Sequence, residues 1–188
     1  MIIDPAHCFT CRRAGSIRDG RHDAIEERLI QTVRVTCPNA NVSKQPKQHN
    51  GIAFTPHAPD IGFEVGGVIR YIDVTAAEPS AISNRVGGAS SSITTAGGAA
   101  MRAEERKHGT YRDIEPQVIV IPFAVESSGR MGPSARALLN ELCQNHPGEL
   151  RAFTRDLSNI CASYGGHFIN FARKRMETGV GYGRNEYY

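Results

Sequence analysis

Two aspartates near the middle of the chain, Asp60 and Asp73, have the residue type and spacing of a carboxylate pair that binds a divalent cation. Each lies at the outer end of a β-rich run, and the two runs meet at Gly66-Gly67. Adjacent glycines between such runs predict a two-residue hairpin turn, because both can adopt positive φ. In a hairpin closed there, Asp60 lies opposite Asp73 on one face. Opposed like charges repel, so the sequence favours a cation between them.

The same register predicts the core of the hairpin. It pairs Val65 with Val68 and Ile61 with Ile72, because the side chains of each strand alternate between the two faces. Thr75 follows Asp73 on the polar face. The predicted core face consists of Ile61, Phe63, Val65, Val68, Ile72 and Val74.

A helix before the hairpin is predicted to run from Arg21 to just before Cys37-Pro38. Its apolar stripe is Ile25, Leu29 and Val33. Glu26 lies beside this stripe and could reach inward from the helix edge. The alternative is that Glu26, like its neighbour Glu27, belongs to a solvated helix face.

A second helix is predicted from about residue 99, after a Ser-, Gly-, Ala- and Thr-rich stretch (residues 80–98) that we expect to be mobile unless a ligand orders it. One face carries Ala100, Ala103, Lys107 and Tyr111. Small residues allow close approach to a sheet, and Lys107 and Tyr111 project one turn apart. Lys107 is therefore a candidate functional residue, although a lysine on a helix is usually just solvated.

The remaining elements are predicted to be structural. Residues 38–50 read as a loop or weak edge strand, and residues 117–125 read as a strand buried on both sides. Two amphipathic helices follow, one from Pro133 and one after Pro147-Gly148.

The N-terminal cysteines form a Cys8-x-x-Cys11 pair that precedes His22, and these residues offer three of the four ligands of a zinc knuckle. A fourth ligand is missing at the usual spacing, so two free cysteines near the terminus are the alternative. The chain has 5 cysteines, an odd number that argues for reduced thiols rather than a disulfide framework.

Composition sets the broad class. With 188 residues, 40% hydrophobic and 22% charged, the chain is expected to form one globular domain with a sizeable core. No apolar run is long enough for a membrane span and no segment resembles a signal peptide, so we expect an intracellular protein without a membrane partner. Lys and Arg outnumber Asp and Glu in residues 1–50 and 131–188 but not in residues 51–130. Basic ends around an acidic centre suit a metal site that meets phosphate.

These residues occur in a recognisable order: Pro59-Asp60, twelve intervening residues, Asp73, and then Lys107 and Tyr111 on the following helix. This order resembles the restriction-like endonuclease domain at the C-terminal end of site-specific non-LTR retrotransposon proteins, within the PD-(D/E)XK nuclease superfamily. The Cys8/Cys11 pair, the Arg21-His22-Asp23 helix start and residues 122–133 are similar as well. The resemblance spans residues 8–142. The chain departs from the pattern at Thr75, where lysine is usual, and at Ala58, where a basic residue is usual.

The resemblance implies an α/β, restriction-endonuclease-like fold with a mixed central sheet flanked by helices. It divides the chain into an N-terminal segment (1–20), a nuclease domain (21–172) and a basic tail (173–188). Asp60 and Asp73 would hold Mg²⁺ or Mn²⁺, with Lys107 near the attacked phosphate, and Glu26 and Tyr111 assisting. Contacts to nucleic acid are predicted from Arg21, His22, Arg102 and Arg130.

The sequence thus predicts a metal-dependent DNA endonuclease that is nuclear or otherwise intracellular. RNA or a reverse-transcriptase-containing partner is a further possibility that the resemblance raises. Two alternatives stay open: a catalytically inactive nucleic-acid-binding or assembly module on the same fold, and a plain interaction domain whose hairpin carboxylates face solvent.

Overall fold

The computed structural model describes residues 14–54, 57–81, 95–114 and 117–177. This part of the chain has a mixed α/β fold with a four-stranded sheet, a small two-stranded hairpin and four helices. The helices are α1 (Gly15–Thr36), α2 (Gly98–Tyr111), α3 (Pro133–Leu142) and α4 (Pro147–Glu177). The strands are β1 (Asn41–Lys44), β2 (Gln48–His49), β3 (Ile52–Ala53), β4 (Ile61–Val65), β5 (Val68–Ala77) and β6 (Ile119–Glu126).

The main sheet has the strand order β1-β4-β5-β6. Strands β1, β4 and β5 pair antiparallel, whereas β6 runs parallel to β5. A parallel pair needs a crossover connection, and α2 lies in that connection. The predicted mixed sheet flanked by helices is confirmed at this level, and the weak edge strand predicted within residues 38–50 is β1.

The predicted hairpin is β4–β5, with Gly66 and Gly67 at φ values of 61° and 79° in the turn. Its register pairs Ile61 with Ile72 and Val65 with Val68, as the sequence predicted. The assignment of Val65 and Val68 to the core was wrong, because each is 45% exposed. This end of the hairpin borders an open groove beside the ends of α1 and α3.

Helices cover both faces of the sheet. The larger core lies on the face covered by α1 and α3, with α4 packed along α1. Helix α2 covers the opposite face, where Ala99, Ala100 and Ala103 pack against Ala77 and Ala124 of the strands. Side chains this small let the helix axis approach the sheet closely, as the sequence predicted.

Two predicted boundaries fall inside helices. Helix α1 begins at Gly15 rather than Arg21, because Ala14 and Ile17 pack against Phe168 and Ala172 of α4. Helix α4 continues to Glu177, through the start of the predicted basic tail. The rest of that tail (178–188) and most of the predicted mobile stretch (82–94) lie outside the described residues. In the described part of the chain, no helix is long and apolar enough to cross a membrane.

Two buried glutamates fix the starts of helices. The Glu126 carboxylate at the end of β6 accepts the backbone N–H of Ala99 in the first turn of α2, at 3.1 Å. Glu104 of α2 accepts the backbone N–H groups of Ser134 and Ala135 at the start of α3, each at 3.0 Å. The first N–H groups of a helix lack partners within the helix, and a negative charge there is favourable. Both glutamates therefore serve the fold, linking β6 to α2 and α2 to α3.

Arg28 connects α1 to α4. Its Nη1 donates to Glu149 and to Thr32 at 2.7 Å, and its Nε donates to Asp156 at 2.9 Å. The guanidinium also lies 5.2 Å from the ring centroid of Phe153. One half-buried cation thus holds two carboxylates of the neighbouring helix.

Replacing Arg28 by methionine is expected to lower the free energy of unfolding by about 2 kcal/mol, because two carboxylates lose their charged partner. The hydrogen bond from Arg28 lowers the pKa of Asp156. Burial raises the pKa of Glu149, but hydrogen bonds from Arg28 and Thr32 outweigh burial and lower it overall. Carboxyl groups with lowered pKa values stabilise the fold above their unfolded-state values, and this contribution is lost as the pH falls. The difference between R28M and wild type should therefore shrink on acidification.

The control is Arg155→Met. Arg155 also contacts Asp156, at 3.2 Å, but its side chain is 70% exposed, so its loss should cost less than about 0.5 kcal/mol. Urea unfolding of the three proteins at several pH values measures both effects. Equal losses in R28M and R155M would contradict the role given to Arg28.

Candidate functional site

Asp60 forms hydrogen bonds with the backbone of the two residues that flank Asp73. Asp60 lies one residue before β4, and its N–H donates to the carbonyl oxygen of Ile72 at 3.0 Å. Its carboxylate oxygen Oδ2 accepts the N–H of Val74 at 2.7 Å. Asp60 therefore holds the residue before and the residue after Asp73. The structure brings the two predicted carboxylates together, and the sheet register is what positions them.

Asp73 is only 3% exposed, on the face of β5 that α2 covers. Its Oδ2 accepts a 2.5 Å hydrogen bond from the Tyr111 hydroxyl and lies 2.9 Å from Lys107 Nζ. Burial raises the pKa of Asp73, against the opposing effects of Tyr111 and Lys107, and the charge of Asp60 raises it further. The structure thus brings Lys107 and Tyr111, which the sequence placed on one helix face, to Asp73. Maintaining a negative charge on Asp73 nevertheless costs free energy in the folded protein.

His22 of α1 contacts the other aspartate. Its Nε2 lies 3.1 Å from Asp60 Oδ2, and its Nδ1 lies 3.3 Å from the exposed Asp23. The hydrogen bond with Asp60 outweighs burial and raises the pKa of His22 to about 9. At neutral pH, His22 is therefore a cation.

Each aspartate thus has its own positively charged partner, His22 for Asp60 and Lys107 for Asp73. Together the two partners offset the repulsion that the sequence predicted between the carboxylates. They provide the charge that a divalent cation would otherwise provide. A metal ion at this pair would have to compete with both side chains.

Glu26 points inward from α1, as one of the two sequence interpretations predicted. It is buried, whereas Glu27 is half exposed. Lys44 of β1 reaches both, at 3.4 Å from Glu26 and 3.2 Å from Glu27. Glu26, His22 and Asp23 offer possible ligand atoms that all lie within 4.8 Å of one another. A third carboxylate therefore lies next to the His22–Asp60 pair.

Buried polar atoms without a hydrogen-bond partner concentrate around this site. Among the described residues, they include Nε and Nη1 of Arg21, Oγ1 of Thr75, and Oε1 of Glu26, which has only the 3.4 Å ion pair with Lys44. All three residues lie on α1 or β5. Such atoms are rare in folded proteins because each costs free energy. Because these atoms occur together, the unsatisfied polar groups of this region lower the stability of the fold.

The predicted nucleic-acid contacts are scattered. Arg21 is 2% exposed and lies 5.6 Å from the ring centroid of Phe168, so its prediction as a surface contact to DNA was wrong. Packing between α1 and α4 encloses it. Arg102 is half-buried on α2, and Arg130 is exposed in the turn after β6, with its side chain against Gly97. By helix geometry, Arg130 lies about 15 Å along α2 from Lys107.

Of the three residues predicted to bind zinc, only His22 lies within the described part of the chain. Cys8 and Cys11 lie outside the described residues, so zinc binding there stays a prediction. His22, the third proposed ligand, contacts Asp60 and Asp23. The three cysteines of the described region, Cys37, Cys143 and Cys161, are free thiols, in line with the expected reduced state.

Three features of the site were missed by sequence reasoning. The pairing of His22 with Asp60 spans 38 residues of sequence, and no local pattern predicts it. The contact of Lys44 with Glu26 was not predicted, because it depends on the pairing of β1 with β4. The third is the unpaired hydroxyl of Thr75: strand alternation predicted this residue on the face of Asp73, but nothing local indicated that its hydroxyl lacks a partner.

The chain matches no protein-family model and no curated protein. Function must therefore be inferred from the chemistry of the site. That chemistry comprises carboxylate oxygens suited to a hard cation, a lysine that can stabilise a second anion, and a tyrosine that orients one carboxylate.

Replacing Asp73 by asparagine is expected to raise the free energy of unfolding of the metal-free protein by about 1 kcal/mol. The raised pKa of Asp73 means that its charge is unfavourable in the folded state, and asparagine removes that charge while keeping a hydrogen-bond acceptor for Tyr111. Thermal unfolding in EDTA measures the change. The control is Glu64→Gln, which removes an exposed carboxylate of β4 and should leave the melting temperature unchanged. A clear loss of stability in D73N would contradict this account of the site.

Removing His22 should change the pH dependence of stability. The pKa of His22 is raised from 6.5 to about 9 in the folded protein, so its charged form stabilises the fold fully below pH 6.5 and ceases to do so as the pH rises through 9. Relative to wild type, His22→Gln should lose about 2 kcal/mol at pH 6, after allowance for a ring that is 29% exposed, and little at pH 10. Urea unfolding across this range tests it, with His167→Gln as the control for an exposed histidine of α4. A constant difference at all pH values would disprove the charge-based pairing.

Proposed function

We propose that this protein is a metal-dependent DNA endonuclease of the PD-(D/E)XK type, which hydrolyses phosphodiester bonds at the Asp60–Asp73 site. The observation that carries the proposal is the buried Asp73 carboxylate, bracketed by Asp60 and contacted by Lys107 and Tyr111. A buried carboxylate with a raised pKa beside a second carboxylate is poor design for stability and is typical of functional sites.

The residues of the site suit a hard divalent cation such as Mg²⁺ or Mn²⁺. Asp60 and Asp73 offer carboxylate oxygens, the ligands that these ions prefer. Glu26 adds a third, buried carboxylate, whose Oε1 has no hydrogen bond and lies 3.4 Å from Lys44 Nζ. When bound, such an ion neutralises charge on the phosphate and lowers the pKa of a water molecule, which favours hydrolysis.

The side chains around the aspartates have separate roles in this proposal. Lys107 holds its ammonium group 2.9 Å from Asp73, and it is exposed enough to reach a phosphate oxygen as negative charge builds there. Tyr111 keeps Asp73 in one orientation through its hydroxyl. His22 of α1 keeps Asp60 in one orientation through its contact with the Asp60 carboxylate.

The proposed substrate is duplex DNA. Support comes from the acidic site combined with basic side chains, including the exposed Arg130 and the half-buried Arg102 on and beside α2. The retrotransposon-type assignment, and an RNA or reverse-transcriptase-containing partner, are proposed from the sequence resemblance alone.

One observation favours a second candidate, a catalytically inactive nucleic-acid-binding module on the same fold. His22 and Lys107 already balance the charges of the two aspartates, so the site is electrostatically complete without a metal. An inactive module predicts that the protein binds DNA but neither cleaves it nor gains stability from divalent ions.

Cleavage of supercoiled plasmid in Mn²⁺ tests the endonuclease. Wild type should nick or linearise the plasmid, and Asp60→Asn and Asp73→Asn should each lower the rate by about 100-fold or more, because the carboxylate charge that holds the cation is lost. Lys107→Met should lower it by roughly 100-fold through the loss of a charge that stabilises the transition state. Glu64→Gln is the control and should cleave normally. Undiminished cleavage by D73N would refute the assignment of the site.

Metal binding can be measured separately by thermal unfolding. Mn²⁺ at 100 times its dissociation constant should stabilise wild type by about 2.7 kcal/mol, and it should leave D73N unchanged. No stabilisation of wild type, together with no cleavage, would favour the inactive module.

A further inference from the structure

The hydroxyl group of Thr75 takes no part in the hydrogen bonds that stabilise the fold. Its Oγ1 is enclosed, yet it has no hydrogen-bond partner. Thr75 lies on β5 two residues after Asp73, so both side chains project from the same face of the strand. Two residues of a β-strand span about 6.6 Å, so a group bound against Asp73 lies within reach of Thr75.

Toward β6 and α2, small apolar side chains lie beside Thr75. Its partner across the sheet is Ala124, and the alanines of α2 pack on this part of the same face. Valine has nearly the shape of threonine and would fill the position without burying an unpaired hydroxyl. Structure alone therefore favours valine at this position.

Thr32 shows what a structural threonine looks like in the same protein. Its hydroxyl is buried in the interface between α1 and α4, donates toward Glu149 at 2.8 Å, and accepts from Arg28 at 2.7 Å. The Thr32 hydroxyl is thus fully used by the fold, whereas the Thr75 hydroxyl is not.

We propose that Thr75 binds substrate by donating its hydroxyl hydrogen to a non-bridging oxygen of the DNA phosphate held at Asp73. The non-bridging oxygens of a phosphodiester only accept hydrogen bonds, and the Thr75 hydroxyl is a donor that lacks an acceptor. Thr75 as a whole is half-buried whereas Oγ1 itself is enclosed, so this contact requires a displacement that exposes Oγ1 to a bound phosphate. A neutral donor also leaves Asp73 free, whereas a lysine at this position would compete with Lys107 for the same carboxylate. This inference rests on the proposed function, since it requires DNA at the site.

The test compares Thr75→Val, Thr75→Ser and Thr32→Val with wild type. Affinity is measured by fluorescence anisotropy with a labelled duplex oligonucleotide in Ca²⁺, with a gel to verify that the DNA stays intact, and stability is measured by thermal unfolding. T75V is expected to melt no lower than wild type and to bind DNA about tenfold more weakly, as the loss of one hydrogen bond to a charged group implies. T75S keeps the hydroxyl and should bind within about threefold of wild type. T32V should melt lower and bind normally at temperatures where it is folded.

The outcomes separate this inference from the proposed function. Wild-type affinity in T75V, or a melting temperature reduced as in T32V, would overturn the role of Thr75 while leaving the nuclease assignment intact. A wild-type protein that binds DNA but does not cleave plasmid would defeat the nuclease assignment, and the affinity of T75V would still decide the role of Thr75. Failure of the wild type to bind DNA would overturn both.

Discussion

Burial of the Asp73 carboxylate is the constraint on which the arrangement around the site depends. A charge on a central strand is tolerated only if donors and counter-charges reach it. Tyr111 and Lys107 meet this need from α2, and they can do so because the alanines of that helix let it lie close to the sheet. The contacts made to Asp73 therefore depend on how closely α2 packs against the sheet.

The buried acids fall into two groups with different purposes. Glu104 and Glu126 are satisfied by backbone N–H groups at the starts of helices, so they stabilise the fold and hold α2 and α3 in place. A side chain at Gly132 would collide with the Glu104 carboxylate, since its Cβ would overlap Oε1. Asp73 is held instead by the side chains of Tyr111 and Lys107, and Glu26 lies 3.4 Å from the side chain of Lys44. This contrast separates scaffold from site without reference to any relative.

Stability and strain also occupy different parts of the molecule. The Arg28 cluster joins α1 to α4 through contacts that are all satisfied, on the side of α1 that faces α4. The N-terminal half of the same helix carries Arg21, His22 and Glu26, where unpaired atoms and a shifted pKa accumulate. One helix thus provides both a clamp for the fold and a wall of the site, which is the distribution expected when a rigid scaffold supports a costly functional region.

The sequence by itself determined the hairpin, its register and the face shared by Lys107 and Tyr111, because turn chemistry and the periods of strand and helix are local properties. Alternation likewise placed Thr75 with Asp73, although nothing local revealed that its hydroxyl is unpaired. Tertiary structure alone decided that His22 pairs with Asp60, that Arg21 is enclosed, and that Val65 and Val68 are left at an open edge. Each of these depends on elements far apart in the chain, and burial and charge pairing are set by which elements pack together rather than by the residues next in sequence.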